Sequence, residues 1–192
     1  TVVSGNNPAV GIFARANNGT ATVVNSGDIS STSGSALYSG TDAYGIMARG
    51  GYTQVGNSGN IQANGYLSAT GIAARSTYGT TVSTSASSKI NASALLVSIG
   101  IEGRSSQGNV LISNAGDINA TGVLGGGVGI QAYSTAGNTN AINTGHIKAV
   151  SDYGMAIGVT SYAAAGGNAV ASNGGTIFAS GGDYGAYGMS VQ

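Results

Sequence analysis

Two short segments decide the fold of this chain, Gly11-Ile12-Phe13-Ala14-Arg15 and Asn25-Ser26-Gly27-Asp28-Ile29, because both recur along its 192 residues. The first recurs seven times, with its glycine at positions 11, 45, 71, 100, 129, 158 and 188. The second recurs as Asn-x-Gly-x-Ile, with its isoleucine at positions 29, 61, 118, 147 and 177 and a degraded copy at Ile90. Successive glycines are 34, 26, 29, 29, 29 and 30 residues apart, so the chain is an array of repeats.

Within each repeat the apolar residues alternate with a period of two, which is typical of a strand with one buried face. The first position after the marker glycine is aliphatic and the third is small in nearly every copy, so we expect both to face a core. We expect the second position, which includes Met47, Ala73 and Glu102, and the fourth position to face solvent. A second strand carries the isoleucine of the other marker, and a weaker third strand ends just before the asparagine, with Val23 and Val170 among its apolar residues.

Three short strands in about 29–30 residues predict one coil of a parallel β-solenoid, and stacked coils bury a continuous narrow core. We therefore predict an all-β chain, residues 1–192, forming a single right-handed β-helix of 6–7 coils, the usual hand for parallel crossovers. The connection between Ile29 and Gly45 is longer than its equivalents and predicts a protruding loop near residues 31–41.

The glycines and asparagines of the markers are expected at tight corners, because Gly accepts and Asn tolerates a positive φ. Stacked asparagine amides can also hydrogen-bond along the axis of the coil. The expected structural ladder consists of Asn25, Asn57, Asn114, Asn143 and Asn173.

The composition excludes several classes of protein. Only 6% of the residues are charged and the formal net charge is zero, which argues against a nucleic acid partner. There is no cysteine, hence no disulfide framework, and no apolar run approaches the length of a transmembrane helix. We expect no direct membrane span in this segment.

The repeated Asn-x-Gly-x-Ile-x-Ala and Gly-Ile-x-Ala motifs, in a cysteine-free chain rich in Gly, Ser, Thr and Asn, resemble passenger domains of autotransporters, the type V secreted proteins of Gram-negative bacteria. The resemblance covers the whole chain. It implies an extracellular location on the bacterial cell surface, export across the outer membrane, and a role in adhesion, aggregation or biofilm formation. It also implies that the chain is a segment of a longer passenger.

No pattern of residues indicates catalysis. Asp28 and Asp117 share a phase but lie three coils apart, and the single histidine, His146, falls in a solvated position. Nucleophile, phosphate-binding and metal-binding motifs are absent from the sequence. We therefore expect no enzyme activity, no catalytic residues, no cofactor and no metal.

One column of side chains is a candidate binding face, because arginine suits the capture of carboxylate, sulfate or phosphate. It occupies the fourth position after the marker glycine and comprises Arg15, Arg49, Arg75, Arg104, Tyr133 and Tyr162. The favoured function is adhesion or cell–cell aggregation, through self-association or an anionic glycan on a host or neighbouring cell. The alternatives are a subunit that polymerises end to end into an extracellular filament, and arginines that merely cover a thin β-face.

Overall fold

The computed structural model describes residues 1–4, 7–34 and 42–192. In these residues the chain is all-β, without a helix. The strands are β1 (Val2–Ser4), β2 (Ala9–Arg15), β3 (Thr20–Asn25), β4 (Ile29–Ser33), β5 (Asp42–Asn57), β6 (Ile61–Asn64), β7 (Ser68–Thr84), β8 (Lys89–Ala94), β9 (Val97–Ser105), β10 (Asn109–Asn114), β11 (Asp117–Gly122), β12 (Gly126–Ser134), β13 (Thr139–Asn143), β14 (His146–Ser151), β15 (Met155–Ala163), β16 (Ala169–Asn173), β17 (Thr176–Ser180) and β18 (Ala186–Val191).

The strands form a β-solenoid of about six turns, as predicted. Every strand pairs in parallel with its equivalent one repeat away, so a coil has three faces. The first face is the seven-stranded sheet β1-β4-β6-β8-β11-β14-β17. The second face begins at the marker glycine and the third ends at the asparagine, and the long strands β5 and β7 run through both. A protruding loop was predicted near residues 31–41. Its first residues, Ser31–Ser33, belong to strand β4 instead. Residues 35–41 lie outside the described residues.

The core follows the aliphatic column that the sequence predicts. Ile46, Ile72, Ile101 and Ile130 are completely buried, and each pairs with its equivalent in the next coil. Stacking identical branched side chains in one column fills a narrow interior without the layers that a globular core needs. Branched aliphatic residues also favour the extended backbone of a strand.

One expectation about burial was wrong. Met47, Ala73 and Glu102 were expected to face solvent, but all three are buried. Glu102 is covered by its ion pairs with Arg104 on its own strand and with Arg75 in the adjacent coil. Val170, an apolar residue of the third strand, is exposed, and its register partner is Asn140. The inward column of the third face continues instead through Ala171.

The two sequence markers meet inside the coil. A Cβ built on Gly100 would lie 2.3 Å from Cγ2 of Ile118 and 2.6 Å from the carbonyl oxygen of Gly129 in the next coil. The same collision recurs at the equivalent glycines from Gly11 to Gly158. These glycines therefore serve the close approach of the isoleucine column, and the expectation that they adopt a positive φ was wrong, since only Gly166 and Gly185 do so among the described glycines.

The marker asparagines end their strands and point inward, so the expectation of positive φ was wrong for them as well. Each donates its Nδ2 to the carbonyl oxygen two residues later, at 2.8–2.9 Å, which closes the turn. The same amides bond along the axis, at 2.7 Å, in the pairs Asn25–Asn57, Asn114–Asn143 and Asn143–Asn173.

The ladder is interrupted in the third coil, where Thr84 takes the asparagine position. Its hydroxyl donates to Oδ1 of Asn114 at 2.5 Å. The turn after Thr84 reaches Ile90 in six residues, whereas the turn after Asn57 reaches Ile61 in four. Without the asparagine amide the turn is longer, and Ser88 closes it by donating to the carbonyl of Ser85.

Candidate binding face

The sheet register brings the six predicted site residues into one row along the second face. Arg15 pairs with Arg49, Arg49 with Arg75, and Arg75 with Arg104. Tyr133 and Tyr162 continue the row through the next two coils. Adjacent parallel strands lie about 4.8 Å apart, so the row is a line of closely spaced side chains on one side of the solenoid.

The buried carboxylate of Glu102 divides the arginines. Glu102 is only 1% exposed and forms ion pairs with both Arg75 and Arg104. Its Oε2 accepts hydrogen bonds from Nε of Arg75 at 3.1 Å and from Nη2 at 2.7 Å. This single carboxylate offsets one of the two positive charges and lies between the two stacked guanidinium groups, which reduces their repulsion. We call Arg75, Glu102 and Arg104 the paired half of the row.

The environment of Arg75 keeps its charge fixed. The pKa of Arg75 is raised overall. Burial alone would lower it, but the charge and the hydrogen bonds of Glu102, with a smaller contribution from Tyr44, together outweigh burial. The pKa of Tyr44 is raised in turn, first by burial and then by the charge of Asp42. Both side chains therefore keep their ordinary protonation states across the physiological range.

The tyrosines at the far end of the row stack on each other. The rings of Tyr133 and Tyr162 lie 5.1 Å apart and within 2° of parallel, and the guanidinium carbon of Arg104 lies 5.7 Å from the centre of the Tyr133 ring. A cation over an aromatic face is an attractive contact. The paired half and the two tyrosines therefore form a continuous series of side-chain contacts from Arg75 to Tyr162.

Arg15 and Arg49 differ from Arg75 and Arg104 in lacking an acidic partner among the described residues. Both are exposed, and neither takes part in an ion pair within the described part of the chain. A cleft of about 250 Å³ lies between them, lined also by Ala16, Asn17 and Gly50, and a second cleft of about 350 Å³ lies between Arg49 and Arg75. We call Arg15 and Arg49 the free pair, because their guanidinium groups keep their full capacity to bind an anion.

Among the described residues, the remaining acidic and histidine side chains do not gather into a metal site. Over residues 1–4, 7–34 and 42–192, no group of three or more His, Asp or Glu side chains could hold a metal ion. Asp28 accepts a hydrogen bond from the Asn60 amide at 2.9 Å, and His146 Nδ1 bonds to Thr176 Oγ1 at 2.5 Å. In the same described residues, no helix is long and apolar enough to cross a membrane.

Two surface features were not anticipated. The first is a groove of about 510 Å³ on the first face, lined among others by Lys89, Asp117, His146 and Lys148. These four residues occupy two neighbouring outward columns, so the repeat register could have revealed the groove. The second is a cleft between Tyr52 and Tyr78 on the third face. Each of these tyrosines lies seven residues after its marker glycine, Gly45 or Gly71, so their shared repeat phase could have pointed to them.

No protein-family model, curated protein or solved structure matches this chain. The assignment of function therefore depends on the geometry of its surfaces.

Proposed function

We propose that this β-solenoid is a non-enzymatic adhesion or aggregation module displayed at the bacterial cell surface, and that the free pair binds an anionic glycan. The observation that carries the proposal is the contrast within one row of arginines. Glu102 forms ion pairs with both Arg75 and Arg104, whereas Arg15 and Arg49 face solvent across an open cleft. Unpaired stacked arginines repel each other slightly and gain no stability from the fold, so an external anion is the partner that their chemistry suits.

The autotransporter passenger class agrees with this proposal in its architecture. The resemblance was drawn from the two repeat motifs and the cysteine-free composition rich in Gly, Ser, Thr and Asn, and the chain also has parallel coils. Export and surface location remain proposals that rest on this likeness. A row of arginines along a rigid rod would allow a polyanion to contact successive coils, which suits adhesion better than capture of a small molecule.

The experiment compares two double variants that change the net charge equally. Arg15→Ser with Arg49→Ser removes the free pair, and Lys89→Ser with Lys148→Ser removes two cations from the first face as the matched control. Binding of each protein to immobilised heparin and polygalacturonate is measured against salt concentration. We expect the arginine variant to bind about tenfold more weakly, which corresponds to about 1.4 kcal/mol, and the lysine variant to bind as the parent does.

Equal losses in both variants would mean that the attraction is non-specific, and unchanged binding of the arginine variant would refute the proposal. Binding to poly-glutamate in place of both glycans would assign the row to an acidic protein strip. Beads coated with the protein then report aggregation, which should depend on the free pair if the adhesion role is correct.

End-to-end polymerisation is the alternative function. The strands β16, β17 and β18 pair on one side only, and apolar side chains such as Phe178 and Met189 are exposed there. An open edge of this kind accepts either further coils of a longer chain or a second copy. Electron microscopy over a concentration series separates the two proposals, because filaments favour the polymer and isolated short rods favour the adhesion module.

A further inference from the structure

The third face carries a shallow cleft of about 220 Å³ at the corner where it meets the second face. Its walls come from β5, β7 and β10, three successive coils. The residues that line it are Tyr52, Thr53, Gln54, Tyr78, Gly79, Thr80, Thr81, Asn109 and Leu111. None of these side chains is charged at neutral pH, which distinguishes the cleft from the free pair.

The cleft exists because the corner is short in two coils. The equivalent step takes five residues from Arg15 to Thr20 and again five from Arg104 to Asn109. It takes only three from Arg49 to Tyr52 and four from Arg75 to Gly79. In the second coil Gly50 and Gly51 fill this corner. A Cβ at Gly51 would lie 2.4 Å from the carbonyl oxygen of Asn18, so the shortened path requires glycine there.

A register shift then brings two tyrosines together. The pairing of β5 with β7 slips between Gly50 and Tyr52, and as a result Tyr52 lies opposite Gly79. The rings of Tyr52 and Tyr78 are 5.6 Å apart and tilted by 43°. A Cβ at Gly79 would lie 3.3 Å from Cδ1 of Tyr52, so any larger residue would crowd the ring.

Both rings remain about half exposed, Tyr52 at 50% and Tyr78 at 49%. Two large aromatic rings that meet on an otherwise small-residue surface leave an apolar platform without a partner of its own. A platform that combines apolar ring faces with polar hydroxyl groups at their edges suits ligands with both characters.

Polar groups with spare hydrogen-bonding capacity surround the rings. Gln54 and Thr81 point outward, and their side chains make no hydrogen bond within the described part of the chain. Asn109 accepts a hydrogen bond from the backbone N–H of Asn138 through Oδ1 at 2.9 Å, which leaves its Nδ2 group free to donate. Binding sites are typically apolar surfaces with a few such polar groups that fix orientation.

We infer that the Tyr52–Tyr78 cleft binds one ring of an uncharged sugar chain. The C–H face of a pyranose ring packs on aromatic rings, and its hydroxyl groups match the amides of Gln54 and Asn109 and the hydroxyl of Thr81. The uncharged lining offers no attraction to a carboxylate or sulfate. The cleft is open along the surface, so the neighbouring sugars of a longer chain would extend into solvent.

The test measures binding of three neutral tetrasaccharides, cellotetraose, maltotetraose and chitotetraose, to the intact chain by saturation-transfer NMR and titration. We expect at least one to bind, with its ring protons in contact with tyrosine. Replacing both tyrosines by alanine should weaken binding about tenfold, because both apolar ring faces are removed from the cleft. Tyr52→Phe and Tyr78→Phe should retain binding within about twofold, because the ring faces remain.

The matched control is Tyr153→Ala, because Tyr153 is a similarly exposed tyrosine, at 58%, outside the cleft. High salt separates this inference from the proposed function, since neutral sugar binding should survive it and polyanion binding to the free pair should not. The inference is overturned if none of the three sugars binds, or if the double alanine variant, folded by circular dichroism, binds as tightly as the parent.

Discussion

The free pair and the paired half present the same residue type in the same register, yet only the arginines of the paired half form ion pairs within the described residues. In the paired half, Glu102 lies buried between Arg75 and Arg104 and satisfies both. The position equivalent to Glu102 is Phe13 in the coil of Arg15 and Met47 in the coil of Arg49. The arginines of the free pair therefore have no acid at this position. A column of identical side chains in a repeat protein is therefore not one site, because a single neighbouring residue decides which members are free.

The largest expected effect tests whether the scaffold under the two halves is the same. Gly45→Ala and Gly100→Ala should each destabilise the chain by about 3 kcal/mol, because the new Cβ would collide with an isoleucine and a backbone oxygen in either half. The measurement is urea unfolding. Gly27→Ala is the control, since its Cβ would meet nothing within 4 Å. A marked difference between the two variants would mean that the halves differ in their cores as well as on their surfaces.

The asparagine ladder, interrupted at Thr84, gives the next largest effect. Asn114→Ala should cost about 2–3 kcal/mol in the free energy of unfolding, because it leaves partners unsatisfied at Thr84, Gly116 and Asn143. Asn25→Ala should lower the free energy of unfolding by less, because within the described residues the Asn25 side chain bonds only to Gly27 and Asn57. Asn91→Ala, an exposed amide, is the control for asparagine replacement, and equal losses at Asn25 and Asn114 would contradict the role of the ladder.

Glu102→Gln should make the paired half resemble the free pair. We expect a loss of about 1–2 kcal/mol in the free energy of unfolding, below the usual value for a broken buried ion pair because Arg75 and Arg104 are 37% and 46% exposed. Affinity for heparin should rise severalfold, because two more guanidinium groups become available. The control is Asp117→Asn, which removes an exposed acid, and an unchanged affinity for Glu102→Gln would show that Glu102 does not restrain the row.

The smallest effect concerns pH at the junction between the halves, where Tyr44 contacts Arg75. Burial and Asp42 raise the pKa of Tyr44, so its neutral form stabilises the folded chain at pH values below its unfolded pKa of about 10. This contribution is lost as the pH rises through the folded pKa. The urea midpoint of the parent should therefore fall more steeply above about pH 10 than that of Tyr44→Phe, whereas exposed Tyr153→Phe should follow the parent.

The sequence predicted the fold and the composition of the row because both depend on one repeat. Once Ile46, Ile72 and Ile101 share a phase, stacking equivalent residues is the arrangement that buries all of them. The same register places the four arginines and two tyrosines in line. The asparagine pairs are visible in the sequence for the same reason.

Only the tertiary structure decided which surface residues are covered and where the corners shorten. The alternating pattern assigned Glu102 to the solvent side. In the structure, Arg104 from the same strand and Arg75 from the adjacent coil cover it. Burial of an outward position therefore depends on its neighbours. The Tyr52–Tyr78 cleft arises from a corner two residues shorter than those of the outer coils. The sequence alone determined the columns, whereas contacts between non-identical neighbours determined which arginines of the row are ion-paired.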